Sequence, residues 1–117
     1  WKEARGLRND IADMVKLFPN EEKYRLSDQL IRASRSVTAN VAEGFCRFHF
    51  QENIQFCRQA RGSLFEILDH LTVAYDEKLL TIEKCELFKQ KVLTIIKILN
   101  GYIAYLKKAK AATTHNL

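Results

Sequence analysis

Apolar residues recur every three to four positions along most of the chain, and this spacing predicts four α-helices. The predicted helices span about residues 1–18, 22–43 (or 27–43), 51–75 and 81–110. Pro19 separates the first two helices, and Gly44 is expected to end the second by adopting a left-handed conformation. Thr81 is a suitable N-cap for the fourth. Short connections make neighbouring helices antiparallel, so the expected fold is all-α, an up-down-up-down four-helix bundle.

Each predicted helix has one apolar stripe that we expect to form the core. The stripes are Ala4, Leu7, Ile11, Met14 (or Val15) and Phe18; Leu26, Leu30, Ala33, Val37, Val41 and Phe45; Ile54, Cys57, Ala60 (or Arg61), Leu64, Ile67 (or Leu68), Leu71 and Tyr75; and Ile82, Cys85, Phe88 (or Leu87), Val92, Ile95 (or Ile96), Leu99, Ile103 and Leu106. The fourth helix is also apolar off its stripe, at Leu93, Ile98 and Tyr105. Such wide apolar cover favours homo-oligomerisation, and a helix buried deep within one bundle is the alternative.

The length of 117 residues predicts a single domain, residues 1–117, with a frayed tail at about 111–117. Apolar residues make up 47% and charged residues 28%, which is typical of a globular protein and excludes a disordered one. No apolar run approaches the length of a membrane span, so no membrane association is expected. Because the sequence begins at Trp1, the presence of an upstream targeting segment stays an open alternative. Three cysteines within apolar patterns indicate reduced thiols and a cytoplasmic location.

Every arginine lies at or before Arg61 in a chain whose net charge is +5. Arginine makes planar, bidentate contacts with carboxylates and phosphates, so these residues form either structured ion pairs or an anion-binding face. The candidate nucleic-acid contacts are Arg5, Arg8, Arg25, Arg35 and Arg58. The alternative is a solvated surface, because acidic residues are interleaved with them. No sequence-specific DNA- or RNA-binding motif is present, so any RNA or DNA contact would be to the backbone, with little sequence preference.

The sequence lacks the motifs of nucleophilic catalysis, of phosphate loops and of dinucleotide binding. We therefore expect a protein that is not an enzyme and has no cofactor. Cys46 and His49 have a spacing found among metal ligands, but one such pair is not a four-ligand zinc site, so no metal is expected.

The second and third predicted helices have small and polar residues where a simple amphipathic helix would have leucine. This composition predicts that the two helices approach closely, with Gly62 at a tight crossing. Antiparallel pairing about the turn near residues 45–50 places Arg32 level with Ser63 and Gln29 level with Glu66. A charged hydrogen bond between Arg32 and Glu66 is then within reach.

Ser36 and Asn40 lie one turn apart on the second helix, where they can satisfy polar groups on the third. The interpretation we favour is that these polar residues set the helix register and the specificity of assembly. The alternative is that they contact a ligand or nucleic acid.

These segments resemble a family of four-helix bundles encoded in intervening sequences of bacterial large-subunit ribosomal RNA genes. The family pattern Leu-x-x-Gln-Leu-x-Arg-Ala-x-x-Ser-x-x-x-Asn-x-Ala-Glu-Gly matches at Leu26, Gln29, Leu30, Arg32, Ala33, Ser36, Asn40, Ala42, Glu43 and Gly44. A second pattern, Phe-x-x-x-Ala-Arg-Gly-Ser-Leu-x-Glu, matches at Phe56, Ala60, Arg61, Gly62, Ser63, Leu64 and Glu66. The polar motif residues are Gln29, Arg32, Ser36, Asn40, Glu43, Arg61, Ser63 and Glu66.

The resemblance implies a bundle that assembles with copies of itself into a ring, a pentamer. A related protein, the accessory variability determinant of diversity-generating retroelements, resembles a basic pentamer that binds nucleic acid and a reverse transcriptase. The resemblance thus implies RNA or DNA as a partner, and a protein such as a reverse transcriptase as another. The alternative function is a scaffold whose oligomer surface docks another protein.

Overall fold

A computed structural model describes residues 1–115, together with their side chains except at 22–24, 114 and 115. The described residues form four α-helices: α1 (Lys2–Val15), α2 (Asp28–Phe45), α3 (Phe50–Asp76) and α4 (Ile82–His115). They pack into a bundle with extents of 57 × 23 × 19 Å. The predicted all-α four-helix fold is confirmed. In the described part of the chain, no helix has both the length and the apolar character that a membrane crossing requires.

The connection from α1 to α2 differs from the sequence prediction. α1 ends at Val15, and after Pro19 the chain forms a 3₁₀-helix, Asn20–Glu22, and then a π-helix, Lys23–Ser27. Phe18 stays on the core side of this connection, with 7% of its surface exposed. α2 therefore begins one residue after Ser27, the later of the two predicted starts.

The predicted stripes form the core, with Val41 half-buried at its edge and three further exceptions that are exposed. Ile11, Leu30, Leu64 and Val92, one from each helix, are fully buried. The exceptions lie at helix ends, where the neighbouring helix no longer covers the stripe: Phe45, Tyr75 and Ile82 are exposed. The predicted end of the fourth helix was also too early, since α4 continues to His115; Asn116 and Leu117 of the predicted tail lie outside the described residues.

The turn between α3 and α4 is fixed by backbone hydrogen bonds. Lys78 adopts a left-handed conformation with φ 63°, which costs a non-glycine residue about 1 kcal/mol. The Leu79 amide donates to the Ala74 carbonyl (2.8 Å) and the Lys78 amide to the Tyr75 carbonyl (3.0 Å), which is the Schellman arrangement. Thr81 then caps α4, because its hydroxyl accepts the Lys84 amide at 3.2 Å. The N-cap prediction is confirmed.

The close approach of α2 and α3 occurs at Gly44 and not at Gly62. A Cβ atom added to Gly44 would lie 2.7 Å from Asn53 Oδ1 and 3.0 Å from Phe56 Cβ, whereas a Cβ on Gly62 would meet nothing within 4 Å. Gly44 is also inside α2, and no glycine among the described residues has a positive φ. The expected left-handed helix end at Gly44 and the expected crossing at Gly62 were both wrong. The glycine at the helix end permits contact between backbones.

Candidate nucleic-acid interface

Three of the predicted arginines lie along the seam between α1 and α2. Arg8 Nη1 donates to Thr38 Oγ1 at 3.1 Å, and the same hydroxyl donates to the Arg35 carbonyl at 3.1 Å. Arg5 lies one turn before Arg8 on the same side of α1 and is exposed, as is Arg35. Arg5, Arg8 and Arg35 therefore form one basic strip, which we call the arginine seam.

The other two candidates lie apart from this seam. Arg25 is exposed but belongs to the π-helix, ten positions before Arg35, which is about 15 Å along a helix. Arg58 is half-buried on α3, one turn before Arg61, whose Nη1 donates to Asn100 Oδ1 of α4 at 2.7 Å. The five arginines thus do not form one surface, because α3 turns Arg58 towards α4 while the arginine seam is on α1 and α2.

A chain of hydroxyl and amide groups joins α2 to α3. Ser63 Oγ bonds to Ser36 Oγ at 2.9 Å, and Asn40 Nδ2 donates to the Ser36 carbonyl (2.9 Å) and hydroxyl (3.0 Å). All three residues are half-buried. Ser36, and not Arg32, is therefore level with Ser63, so the predicted register was wrong by about one helical turn.

The remaining residues of the polar motif make contacts mostly within their own helices. Arg32 lies 3.8 Å from Asp28, and Glu66 lies 3.3 Å from His70, so the predicted Arg32–Glu66 bond is replaced by two local pairs. Glu43 pairs with Arg47 at 3.1 Å. Gln29 is exposed on α2. Exposed pairs one turn apart stabilise a helix by only about 0.3–0.5 kcal/mol, so they contribute little to the register.

A buried polar contact between α3 and α4 was missed from the sequence. Asn53 is 7% exposed; its Nδ2 donates to the Tyr102 hydroxyl at 3.0 Å, and Cys57 Sγ donates to its Oδ1 at 3.5 Å. Tyr102 in turn stacks on Tyr105, with ring centroids 6.2 Å apart and planes at 18°. The sequence did contain a signal for this contact: Asn53 lies one turn before Cys57 of the apolar stripe, in the segment that antiparallel pairing places opposite Gly44.

The three cysteine thiols differ in burial: Cys57 and Cys85 are buried, and Cys46 is exposed. Burial raises the pKa of Cys57. It also raises the pKa of Cys85, where Lys89 acts in the opposite direction and Glu86 and Asp76 add to the rise. Both thiols are therefore protonated at neutral pH and unsuited to act as nucleophiles. Among the described residues, no three His, Cys, Asp or Glu side chains are grouped in a way that would hold a metal ion.

The seam between α1 and α4 is open along its length. Three surface depressions of about 240, 260 and 280 Å³ follow it, and Asp10 and Lys91 line the first two. Lys91 Nζ bonds to Asp10 Oδ2 at 2.9 Å across the seam. The third depression, which we call the apolar groove, is lined by Trp1, Glu3, Ala4, Val41, Phe45, Ile95, Ile98, Leu99 and Tyr102.

The sequence profile of the 23S rRNA-intervening sequence protein family matches residues 1–101. The chain belongs to this family. The match includes both segments that carry the resemblance, the arginine seam and the Ser36–Ser63 contact. In this 23S rRNA-intervening sequence protein, Ser36, Asn40 and Ser63 of the family's polar motif thus join α2 to α3. Its other members lie outside this contact: Arg32, Glu43 and Glu66 pair locally, Arg61 contacts α4, and Gln29 is exposed.

A solved structure supports the fold. It is a protein of unknown function from the S23 ribosomal protein family of Bacteroides thetaiotaomicron VPI-5482, with a TM-score of 0.82 and 22% sequence identity. The alignment covers 88% of this chain and 93% of that one. At this identity the likeness concerns the fold alone. No curated protein matches the chain. The relation to the retroelement accessory protein stays a prediction.

Proposed function

We propose that this 23S rRNA-intervening sequence protein is a non-enzymatic, homo-oligomeric bundle that binds RNA or DNA in the cytoplasm through the arginine seam. The observation that supports the proposal most is the convergence of Arg5, Arg8 and Arg35 on adjacent turns of α1 and α2. Arg8 Nη1 donates to Thr38 Oγ1, which fixes its guanidinium at the seam between α1 and α2. A row of guanidinium groups suits the phosphates of a nucleic-acid backbone.

Self-assembly is the second part of the proposal, and a pentameric ring is the form that the family resemblance implies. Exposed apolar residues on α4 support it, among them Leu87, Leu93 and Ile98, with 54%, 45% and 50% of their surfaces exposed. Large apolar side chains at this exposure are favourable contacts for a second copy. A pentameric ring of subunits would present one arginine seam per subunit, so several weak phosphate contacts would act together.

Nucleic-acid binding is tested by anisotropy of a labelled RNA of arbitrary sequence, titrated at several salt concentrations. We expect the affinity to fall steeply with salt, because each phosphate contact releases counterions. Arg5→Glu combined with Arg35→Glu should abolish the binding or reduce the salt slope by about 1 for each arginine that contacts a phosphate. The matched control is Lys84→Glu with Lys97→Glu, which changes the net charge equally at exposed sites on α4.

Equal losses of affinity in both double variants would show that net charge, and not the arginine seam, governs the binding. Absence of binding to wild-type protein at about 50 mM salt would overturn the nucleic-acid proposal. It would favour the alternative, a scaffold that docks a protein partner in the apolar groove, for which the exposed Trp1 and Phe45 rings are the supporting feature. A reverse transcriptase is one candidate for that partner.

Assembly is tested by light scattering at micromolar concentration. A single copy has a mass of 13.6 kDa, and we expect an integral multiple of it. Leu87→Asp combined with Leu93→Asp should lower the mass without unfolding the chain, because both side chains are already exposed in one bundle. A wild-type particle of 13.6 kDa would overturn the oligomer.

A further inference from the structure

One end of the bundle combines exposed aromatic rings with an excess of positive charge. Phe48 is 99% exposed in the loop between α2 and α3, and Phe45, just before it, is 75% exposed. On α4, Tyr105 is 63% exposed and Lys107 and Lys108 follow it closely. None of these residues belongs to the arginine seam, and we call this end the aromatic end.

The charge at the aromatic end comes mainly from the second half of α4. From Leu99 to Leu117 the sequence has three lysines, Lys107, Lys108 and Lys110, and no Asp or Glu, whereas residues 76–86, at the opposite end, have four acids and two lysines. Lysine near a helix C-terminus also stabilises the helix dipole, which accounts for Lys110 but not for the exposed rings around it. The molecule is therefore polarised along its long axis.

The loop that carries Phe48 is held from both sides. Arg47 pairs with Glu43 of α2 at 3.1 Å and lies 3.9 Å from Glu52 of α3. Its guanidinium also lies over the Phe56 ring, 5.1 Å from the centroid. These contacts engage Glu43 and Glu52 and fix the backbone next to Phe48, so the ring is presented outwards from a defined position.

The aromatic rings of α4 are fixed in a similar way. Asn53 holds the Tyr102 hydroxyl at 3.0 Å, and Tyr105 stacks on Tyr102. Phe45 and Tyr102 line the same groove, which connects the α2 and α4 sides of the aromatic end. Rings that are already ordered lose little entropy on binding a flat partner.

We infer that the aromatic end is a stacking platform for unpaired nucleotides, with Phe48 and Tyr105 contacting bases and Lys107 and Lys108 contacting phosphates. Base stacking on exposed rings beside cations is how proteins hold single strands without regard to sequence, because every base has a flat face. A duplex buries its base faces, so only its phosphates could contact the lysines of this platform and no base could stack on its rings. The inference rests on the proposed nucleic-acid binding and adds to it a preference for single strands.

The test compares a labelled single strand of about 12 nucleotides with a duplex of the same length, by anisotropy at fixed salt. We expect the single strand to bind more tightly. Phe48→Ala and Tyr105→Ala should each weaken single-strand binding about tenfold and leave duplex binding unchanged. Phe48→Trp should retain the affinity, because it keeps a stacking ring. The matched control is Phe65→Ala, which removes a 53% exposed ring from the middle of α3.

The outcomes separate this inference from the proposed function. If Arg5→Glu with Arg35→Glu weakens binding while Phe48→Ala and Tyr105→Ala do not, the stacking platform is wrong and the arginine seam stands. If neither oligonucleotide binds the wild type, both fail. A fall in particle mass on Phe48→Ala would assign that ring to a contact between subunits and would also overturn the platform.

Discussion

The α2–α3 interface and the α1–α4 seam are built from different chemistry within one bundle. α2 and α3 approach closely enough that a Cβ on Gly44 would lie 2.7 Å from Asn53, and Ser36 and Ser63 bond directly between them. α1 and α4 leave three depressions between them and are joined by an ion pair, Asp10–Lys91, whose side chains are 46% and 39% exposed.

This difference indicates that the two regions have different roles. Close packing of small and polar groups allows one register only, because a shift would leave buried groups unpaired or backbones in collision. An open seam with exposed apolar side chains constrains the monomer little and leaves surface for another molecule. The first region specifies the fold, and the second is where we expect contact with a second copy.

The largest effect should come from a charge placed on the buried face of α4. Ile103 is 3% exposed, so Ile103→Asp buries an unpaired carboxylate and removes a core side chain, which we expect to cost about 4 kcal/mol or more. Ile98→Asp, on the open seam and at 50% exposure, should cost less than about 1 kcal/mol of monomer stability but lower the oligomer mass. Urea unfolding and light scattering measure the two effects. Similar unfolding midpoints for the two variants would contradict this packing of α4.

The next effect compares two glycines in the same pair of helices. Gly44→Ala forces the added methyl against Asn53 and the Phe56 Cβ, and we expect the unfolding free energy to fall by about 2 kcal/mol. Gly62→Ala meets nothing within 4 Å and should stabilise α3 by up to about 1 kcal/mol, because alanine favours the helix. Thermal unfolding of both variants measures the two changes in stability. If Gly44→Ala proves as stable as Gly62→Ala, the tight approach of α2 and α3 does not exist.

A smaller effect separates the polar contacts of the two regions. A double-mutant cycle on Ser36→Ala and Ser63→Ala should give a coupling of about 1 kcal/mol that is unchanged at high salt. The same cycle on Asp10→Ala and Lys91→Ala should give at most about 0.5 kcal/mol, since both side chains are more than a third exposed, and salt should remove it. Equal salt sensitivity of the two couplings would contradict the difference in chemistry between the two regions.

The smallest effect is a pH dependence from the buried thiol of Cys57. Its pKa is raised in the folded state by burial, so the unfolded chain loses this proton first as pH rises. The protonated, buried thiol contributes its full stabilisation of the folded state below pH 9.0, the ordinary pKa of a thiol. This stabilisation is lost as the pH rises from 9.0 to the higher pKa of the folded state. The unfolding free energy should therefore fall less steeply above pH 9.0 in Cys57→Ala than in wild type. Cys46→Ala, at an exposed thiol, should keep the wild-type slope.

Helix periodicity was sufficient to predict the fold, because the stripes of all four helices depend on local spacing. The register of α2 against α3 was not predictable in the same way: the turn length fixes it only to within about one helical turn, so Arg32 was placed where Ser36 lies. Gly44 was mistaken for a helix terminator, because a glycine near a helix end has the same sequence signature whether it turns the chain or admits a neighbour.

The candidate site was predicted in part. Arg5, Arg8 and Arg35 were identified from residue type alone, but their convergence depends on how α1 packs on α2. Arg58 was grouped with them although α3 directs it towards α4, since arginine spacing within single helices says nothing about the faces of different helices. The rings of Phe48 and Tyr105 were missed as a group because only the fold places the α2–α3 loop and the C-terminal part of α4 at the same end of the bundle.

The π-helix at Lys23–Ser27 has a consequence for how the connection after α1 is aligned with α2. A π-turn holds one more residue than an α-turn, so an inserted residue is accommodated within that single widened coil. Leu26 and Leu30, on either side of its junction with α2, are both buried. Without the wide coil, one extra residue would rotate every side chain on the far side of it by about 100° and carry the apolar stripe out of the core.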